Sequence, residues 1–97
     1  MPTFVTLAKW TEQGVRNIKD SPKRRQAFED RIVSMGGKVR DAYLVMGDYD
    51  LVVVTELADD ETAAKLALGT AMQGNVRTTT MRAFGREEMD RIIGSLP

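Results

Sequence analysis

Neither cysteine nor histidine occurs in the 97 residues. The missing cysteine excludes disulfides, thiol nucleophiles and iron–sulfur ligation. Both absences together exclude histidine general bases and the usual zinc and haem ligand sets. No metal site and no cofactor are therefore expected. An excess charge is lacking too. Lys+Arg number 14 and Asp+Glu 14, leaving a formal net charge of zero, so nothing draws the chain onto nucleic acid or an anionic membrane. Long apolar runs are absent. The longest strongly apolar stretch, Leu51-Val52-Val53-Val54, falls far short of the roughly 18 residues of a membrane span. The opening Met1-Pro2-Thr3-Phe4-Val5 has no basic start and no sustained apolar stretch, so no secretory signal is expected and the cytoplasm is the default location. Proline is scarce, at 3 residues, and a chain with 42% hydrophobic and 29% charged residues has the composition of a folded soluble domain. One domain over residues 1–97 is expected at this length.

The local patterns alternate between two periods. Thr3 to Lys9 reads as a strand rich in Thr, Val and Phe. Thr11 can cap a short helix, and Ser21-Pro22 restarts it, with serine at the cap and proline at the first helical position. Phe28, Ile32 and Met35 follow on one helical face, and Gly36-Gly37 stops that helix. Val39–Met46 and Asp50–Leu57 read as strands. Asp59-Asp60-Glu61 opens a helix where the macrodipole favours acids; Ala64, Leu68, Ala71 and Met72 give it an apolar face and Gly74-Asn75 ends it. Val76–Phe84 is a fourth strand, and a last helix covers about Glu87–Ile93. The order is βαββαβ plus a terminal helix, an α+β ferredoxin-like pattern. Gly69 falls mid-helix, where it costs about 1 kcal/mol, which points to a close approach by a neighbouring element.

Gly47-Asp48 between two strands predicts a two-residue hairpin turn. The register then sets Met46 opposite Tyr49, Leu44 opposite Leu51, Tyr43 opposite Val52, Ala42 opposite Val53, Asp41 opposite Val54 and Val39 opposite Glu56. Alternation divides these residues between two faces. Ala42, Leu44, Leu51 and Val53 face the helices. Tyr43, Val45, Val52 and Val54 share the other face with Asp41, Asp50 and Glu56. Four apolar side chains left in water there would each forgo roughly 1.5–3 kcal/mol. A second copy of the chain is the economical cover, and two sheets meeting this way would form a dimeric α/β barrel. The terminal helix folding across the face of a monomer is the alternative. For the outer strands, Val5, Leu7, Thr79, Met81 and Ala83 are placed toward the helices. That leaves Phe4, Thr6, Ala8, Trp10, Thr78, Thr80 and Arg82 on the covered face.

Four segments occur in order: Trp10-Thr11-Glu12-Gln13-Gly14, Asp20-Ser21-Pro22-Lys23-Arg24, Met46-Gly47-Asp48-Tyr49-Asp50-Leu51-Val52 and Gly74-Asn75-Val76-Arg77-Thr78. Together they resemble the GYD domain family, small bacterial proteins named for a Gly-x-Tyr-Asp signature, over nearly the whole chain. The resemblance implies a ferredoxin-like fold of the dimeric α/β-barrel type. It implies no activity.

The barrel interior so predicted would be lined by Thr6, Trp10, Tyr43, Asp50, Glu56, Thr80 and Arg82, a mixture of apolar walls, hydroxyls and charges suited to a small-molecule ligand. Gly47 and Tyr49 read as turn and packing residues, whereas Asp50 is either a turn acceptor or part of the site. Lys23-Arg24-Arg25 reads as a solvated helix surface. Three functions compete. The mixed face favours a homodimeric small-molecule-binding module. The second is a structural or regulatory interaction domain, with the chain itself as partner in a homodimer or higher homo-oligomer. The third is a cofactor-independent enzyme of oxygenase or isomerase type, with Asp50 or Glu56 as base and Arg82 holding an anion. No motif fixes a catalytic residue.

Overall fold

The computed structural model describes all 97 residues. The elements in chain order are β1 (Thr3–Trp10), α1 (Glu12–Arg16), a 3-10 turn (Ile18–Asp20), α2 (Ser21–Ser34), β2 (Lys38–Leu44), β3 (Leu51–Glu56), α3 (Asp60–Met72), β4 (Val76–Ala83) and α4 (Arg86–Gly94). The strands form one antiparallel sheet in the order β2-β3-β1-β4, the ferredoxin-like arrangement with α4 added. No helix is long and apolar enough to cross a membrane.

Helix ends follow the local chemistry. Asp59 caps α3, its Oδ1 accepting from the Thr62 backbone N–H at 2.8 Å and the Thr62 hydroxyl at 2.7 Å. Gly36 and Gly74, at φ +81° and +77°, end α2 and α3, a left-handed step that glycine takes without a Cβ penalty. Ser21 is already helical, so the α2 cap position falls on Asp20, whose side chain makes no capping bond.

Four of the hairpin pairs stand as expected: Asp41–Val54, Ala42–Val53, Tyr43–Val52 and Leu44–Leu51. Two details differ. A bulge at Arg40 moves Val39 opposite Thr55 and sets Lys38 opposite Glu56. The ladder ends with the Val45 N–H donating to the Asp50 carbonyl at 2.8 Å, so Met46 to Tyr49 form a wider turn than the two-residue one. Asp50 is drawn toward β1, donating its N–H to the Ala8 carbonyl at 2.8 Å. Met46, 98% exposed, has nothing to pack on.

Cross-strand rows define the two faces. On one face, Leu44–Leu51–Ala8–Thr78, Ala42–Val53–Thr6–Thr80 and Val39–Thr55–Phe4–Arg82 run across the sheet. Phe4 joins Ile32, Leu57, Ala63 and Leu66 in the core, with Phe28 and Met35 packed against it, so this is the face that α2 and α3 cover. Phe4, Thr6, Ala8, Thr78, Thr80 and Arg82 therefore face the helices, the reverse of the expectation. The opposite face carries Tyr43–Val52–Leu7–Thr79 and Asp41–Val54–Val5–Met81. Both alternating sets of β1 contain apolar residues, so its pattern alone does not choose a face. The choice follows from the packing: Phe4 fills the core, while Thr6 and Ala8 are short enough to lie beneath the helices.

One clasp joins the start of α1 to the α3–β4 loop. The Thr11 N–H donates to the Asn75 carbonyl at 3.0 Å, and the Thr11 hydroxyl donates to the Gly74 carbonyl at 2.6 Å while accepting from the Gly14 N–H. Gln13 Nε2 donates to the Gln73 carbonyl and to Asn75 Oδ1, both at 3.0 Å. A Cβ on Gly14 would overlap the Asn75 carbonyl. Gly14→Ala is expected to lower unfolding free energy by about 1–3 kcal/mol, as overpacking does. Gly94→Ala, which meets nothing within 4 Å, should change it little; chemical denaturation of both variants checks the pair.

Candidate functional site

The seven residues expected in one interior do not share a face. Thr6 and Thr80 are register partners on the helix face, their hydroxyls 3.3 Å apart. Trp10 continues that alternation, and Arg82 lies opposite Phe4. Tyr43 and Glu56 belong to the opposite face. Asp50 lies at the end of the hairpin. The division follows from the β1 register: Thr6 opposite Val53 ties the Thr6 set to the helix side of the hairpin.

The charged members are engaged within the chain. Asp50 Oδ2 accepts from the Trp10 backbone N–H at 2.9 Å, which holds the end of β1 against the hairpin. Glu56 pairs with Lys38 at 3.3 Å and with Arg40 at 4.0 Å. Arg82 sits 4.5 Å from the Phe84 ring centroid, donates to the Thr3 and Ala83 carbonyls and pairs with Glu88 at 3.4 Å. Glu88 in turn accepts from the Gly85 N–H at 3.3 Å. That N–H, and then Arg82, hold the Glu88 carboxyl below its ordinary 4.5. Of the signature residues, Gly47 (φ +119°) shapes the turn, and Tyr49 lies beneath the Lys9 ammonium at 5.3 Å.

Two surfaces remain without partners in a single chain. The first is the open sheet face, where Val5, Leu7, Val52 and Val54 are half-buried only by one another, and Tyr43 is 55% exposed. α4 does not cover it. Apart from the Arg82–Glu88 junction, α4 makes only marginal contact with the rest of the chain, and Met89, Ile92 and Ile93 are exposed along it. The second is a cleft of about 440 Å³ on the other side of the sheet, between its helix face, α2 from Ser21 to Arg31 and the end of α3. Thr6 and Trp10 line it, together with Arg24 and Arg31, and edge strand β2 borders it from Ala42 to Leu44. Sequence reasoning gave Arg24 to a solvated surface and overlooked Arg31. The signal was Arg24-Phe28-Arg31 at i, i+4, i+7, one face of α2.

Asp50→Ala should cost about 1–3 kcal/mol of stability by stripping the Trp10 N–H of its acceptor; Asp50→Asn, which keeps an oxygen there, should cost less, as urea unfolding would show. Glu88 has a depressed folded pKa, so its hold on α4 is fully present above 4.5 and is lost as pH falls through the lower folded value. Amide protection factors in the first turn of α4, taken relative to the intrinsic exchange rate at each pH, should fall over that acid range, and Glu88→Gln should abolish the pH step.

Comparison with known proteins bears on the same residues. A relative from Thermus thermophilus, named glutamine synthetase and cystathionine beta-lyase binding protein, is 34% identical over 85 residues, spanning 87% of this chain and 90% of the relative. The crystal structure of TTHA0845, also from Thermus thermophilus, is 28% identical and superposes with a TM-score of 0.54, covering 88% of this chain and 95% of that one. FFRP-DM1, at 22% identity and a TM-score of 0.56 over 87% of this chain and all of its own, shares the fold. The model of the GYD domain matches residues 4–93, a span that includes the Thr11–Gly14 clasp, the Gly47-Asp48-Tyr49-Asp50 turn and the open sheet face, and the chain belongs to that family.

Proposed function

We propose that this chain is a homodimeric binding module: two copies pair through their open sheet faces, closing a dimeric α/β barrel, and the pair holds other proteins. The observation that carries the reading is the open face. Two rows of β-branched, aliphatic and aromatic side chains lie there with no helix over them, and their burial against an identical face is the one gain a single chain cannot make. The unpartnered apolar edge of α4, leaving from edge strand β4, supports the same reading by offering more surface to a second copy. Protein partners are inferred from the Thermus thermophilus relative, whose name states that it binds glutamine synthetase and cystathionine beta-lyase. The carboxylates available for catalysis, Asp50 and Glu56, are held by Trp10 and by Lys38 with Arg40, so nothing in the geometry favours an enzyme.

Sedimentation at micromolar concentration should find twice the 10.8 kDa chain mass. Val54→Asp and Leu7→Asp should each yield folded monomer, because a carboxylate in that interface would be desolvated without a partner. A native chain that sediments at 10.8 kDa overturns the dimer. Capture of glutamine synthetase from the same cells by the native chain, lost in the Val54→Asp monomer, is the expected result for the protein-binding half; no capture overturns that half alone.

A further inference from the structure

We propose that the cleft between α2 and the sheet binds a small monocarboxylate with an aromatic or branched hydrocarbon body. The inference does not rest on self-association, since the cleft lies on the helix side of the sheet, away from the open face, with only edge strand β2 bordering both.

The space has a cause in the sequence. At the core end of the helix face, Phe4 reaches up to Ile32 and Leu57. Toward the other end, the floor is made of Thr6, Ala8, Ala42 and Thr78. These short side chains do not fill the gap beneath α2, and the remaining volume of about 440 Å³ lies in the range of small-molecule sites. The walls are apolar: Trp10, Phe28, Leu51 and Val53.

The charge is one-sided. Arg24, Arg25 and Arg31 line the cleft, and no Asp or Glu does. None of the three guanidiniums forms an ion pair with any carboxylate of the chain. Arg24 spends one nitrogen on the Asn17 carbonyl at 2.9 Å, and Arg31 Nη2 donates to the Thr70 hydroxyl at 3.3 Å. That leaves Arg24 Nη2 and Arg31 Nε buried without a hydrogen-bond partner. A buried, unpaired donor on a charged group is costly, and an anionic acceptor removes the cost through charge-assisted bonds. Gly69 of α3 belongs to the same arrangement. A Cβ there would stand 3.2 Å from Arg31 Nη1, so the mid-helix glycine makes room for the guanidinium. Apolar walls and one cationic end select an amphiphilic anion. An α-amino acid fits poorly, because its ammonium would meet three cations and no carboxylate.

Trp10 is the single tryptophan of the chain and lines the cleft, so its fluorescence reports on occupancy. The native chain is titrated with 3-phenylpropionate, with 3-phenylpropanamide and with phenylalanine. The acid should give a saturable change in Trp10 emission, and the amide and the amino acid should each bind about tenfold or more weakly, the worth of a charged hydrogen bond. Arg24→Gln and Arg31→Gln should each weaken the acid by about tenfold with an unchanged circular dichroism spectrum. Equal binding of acid and amide to the native chain overturns the proposal whatever the variants do, because the cleft is then only an apolar groove. Absence of a saturable response to the acid overturns it as well. Retention of acid binding in the Val54→Asp variant is the expected sign that the site is built within one chain; its loss from a folded monomer would contradict that assignment.

Discussion

A β-sheet has two faces, and in this molecule the intervening helices cover one. α2 and α3 pack on the sheet and on each other, so both lie on the same side and the far side is left to whatever the strands themselves provide. The strands provide Val5 opposite Val54 and Leu7 opposite Val52, flanked by Tyr43 and Met81. Such a face is built for contact with something apolar. The rest of the arrangement follows from that asymmetry. Thr6 of the central strand lies on the helix side and finds the Thr80 hydroxyl there, and α4 leaves the sheet without crossing it.

Three of the four segments that carry the family resemblance act as scaffold and meet around Trp10. Asp50 takes the Trp10 N–H, and its own N–H goes to the Ala8 carbonyl. Asn75 takes the Thr11 N–H. The last turn of chain around Trp10 is thus tied to the hairpin on one side and to the α3–β4 loop on the other, and the Trp10 ring is fixed where it closes the cleft. Gly14 permits the close approach, and Gln13 bridges the loop. A motif that looks catalytic in a sequence can be a set of backbone ties that places one aromatic wall.

The order of elements was legible because the local signals agree: Asp59 with its acids, Gly36 and Gly74 at helix ends, and the alternation from Asp41 to Val54. The hairpin register was legible because its two strands are neighbours in sequence. The face of β1 was not. Phe4, Thr6 and Ala8 differ little in pattern from Val5 and Leu7, and the decision rests on Thr6 pairing with Val53 and Thr80, contacts that no local rule specifies. The error propagated to β4, and with it the expected site came apart. Arg31 escaped notice because a lone arginine inside a helix looks solvated; besides its spacing from Arg24 and Phe28, Gly69, a residue already out of place by propensity, marked its path.

The central position of β1 between β3 and β4 also shapes how the chain acquires its structure. β1 leaves the ribosome ahead of both its neighbours, and its pairing with β4 joins Thr3 to Ala83 across almost the full length of the polypeptide. Loops of that span close slowly, and proteins dominated by distant pairings fold slowly for their size. Until β4 is synthesised, β1 has an unpaired edge and an apolar row exposed together, the condition that invites aggregation during synthesis. The hairpin of β2 and β3 can form early and shield one edge, so the interval between completing α3 and docking β4 is the vulnerable stage of biogenesis.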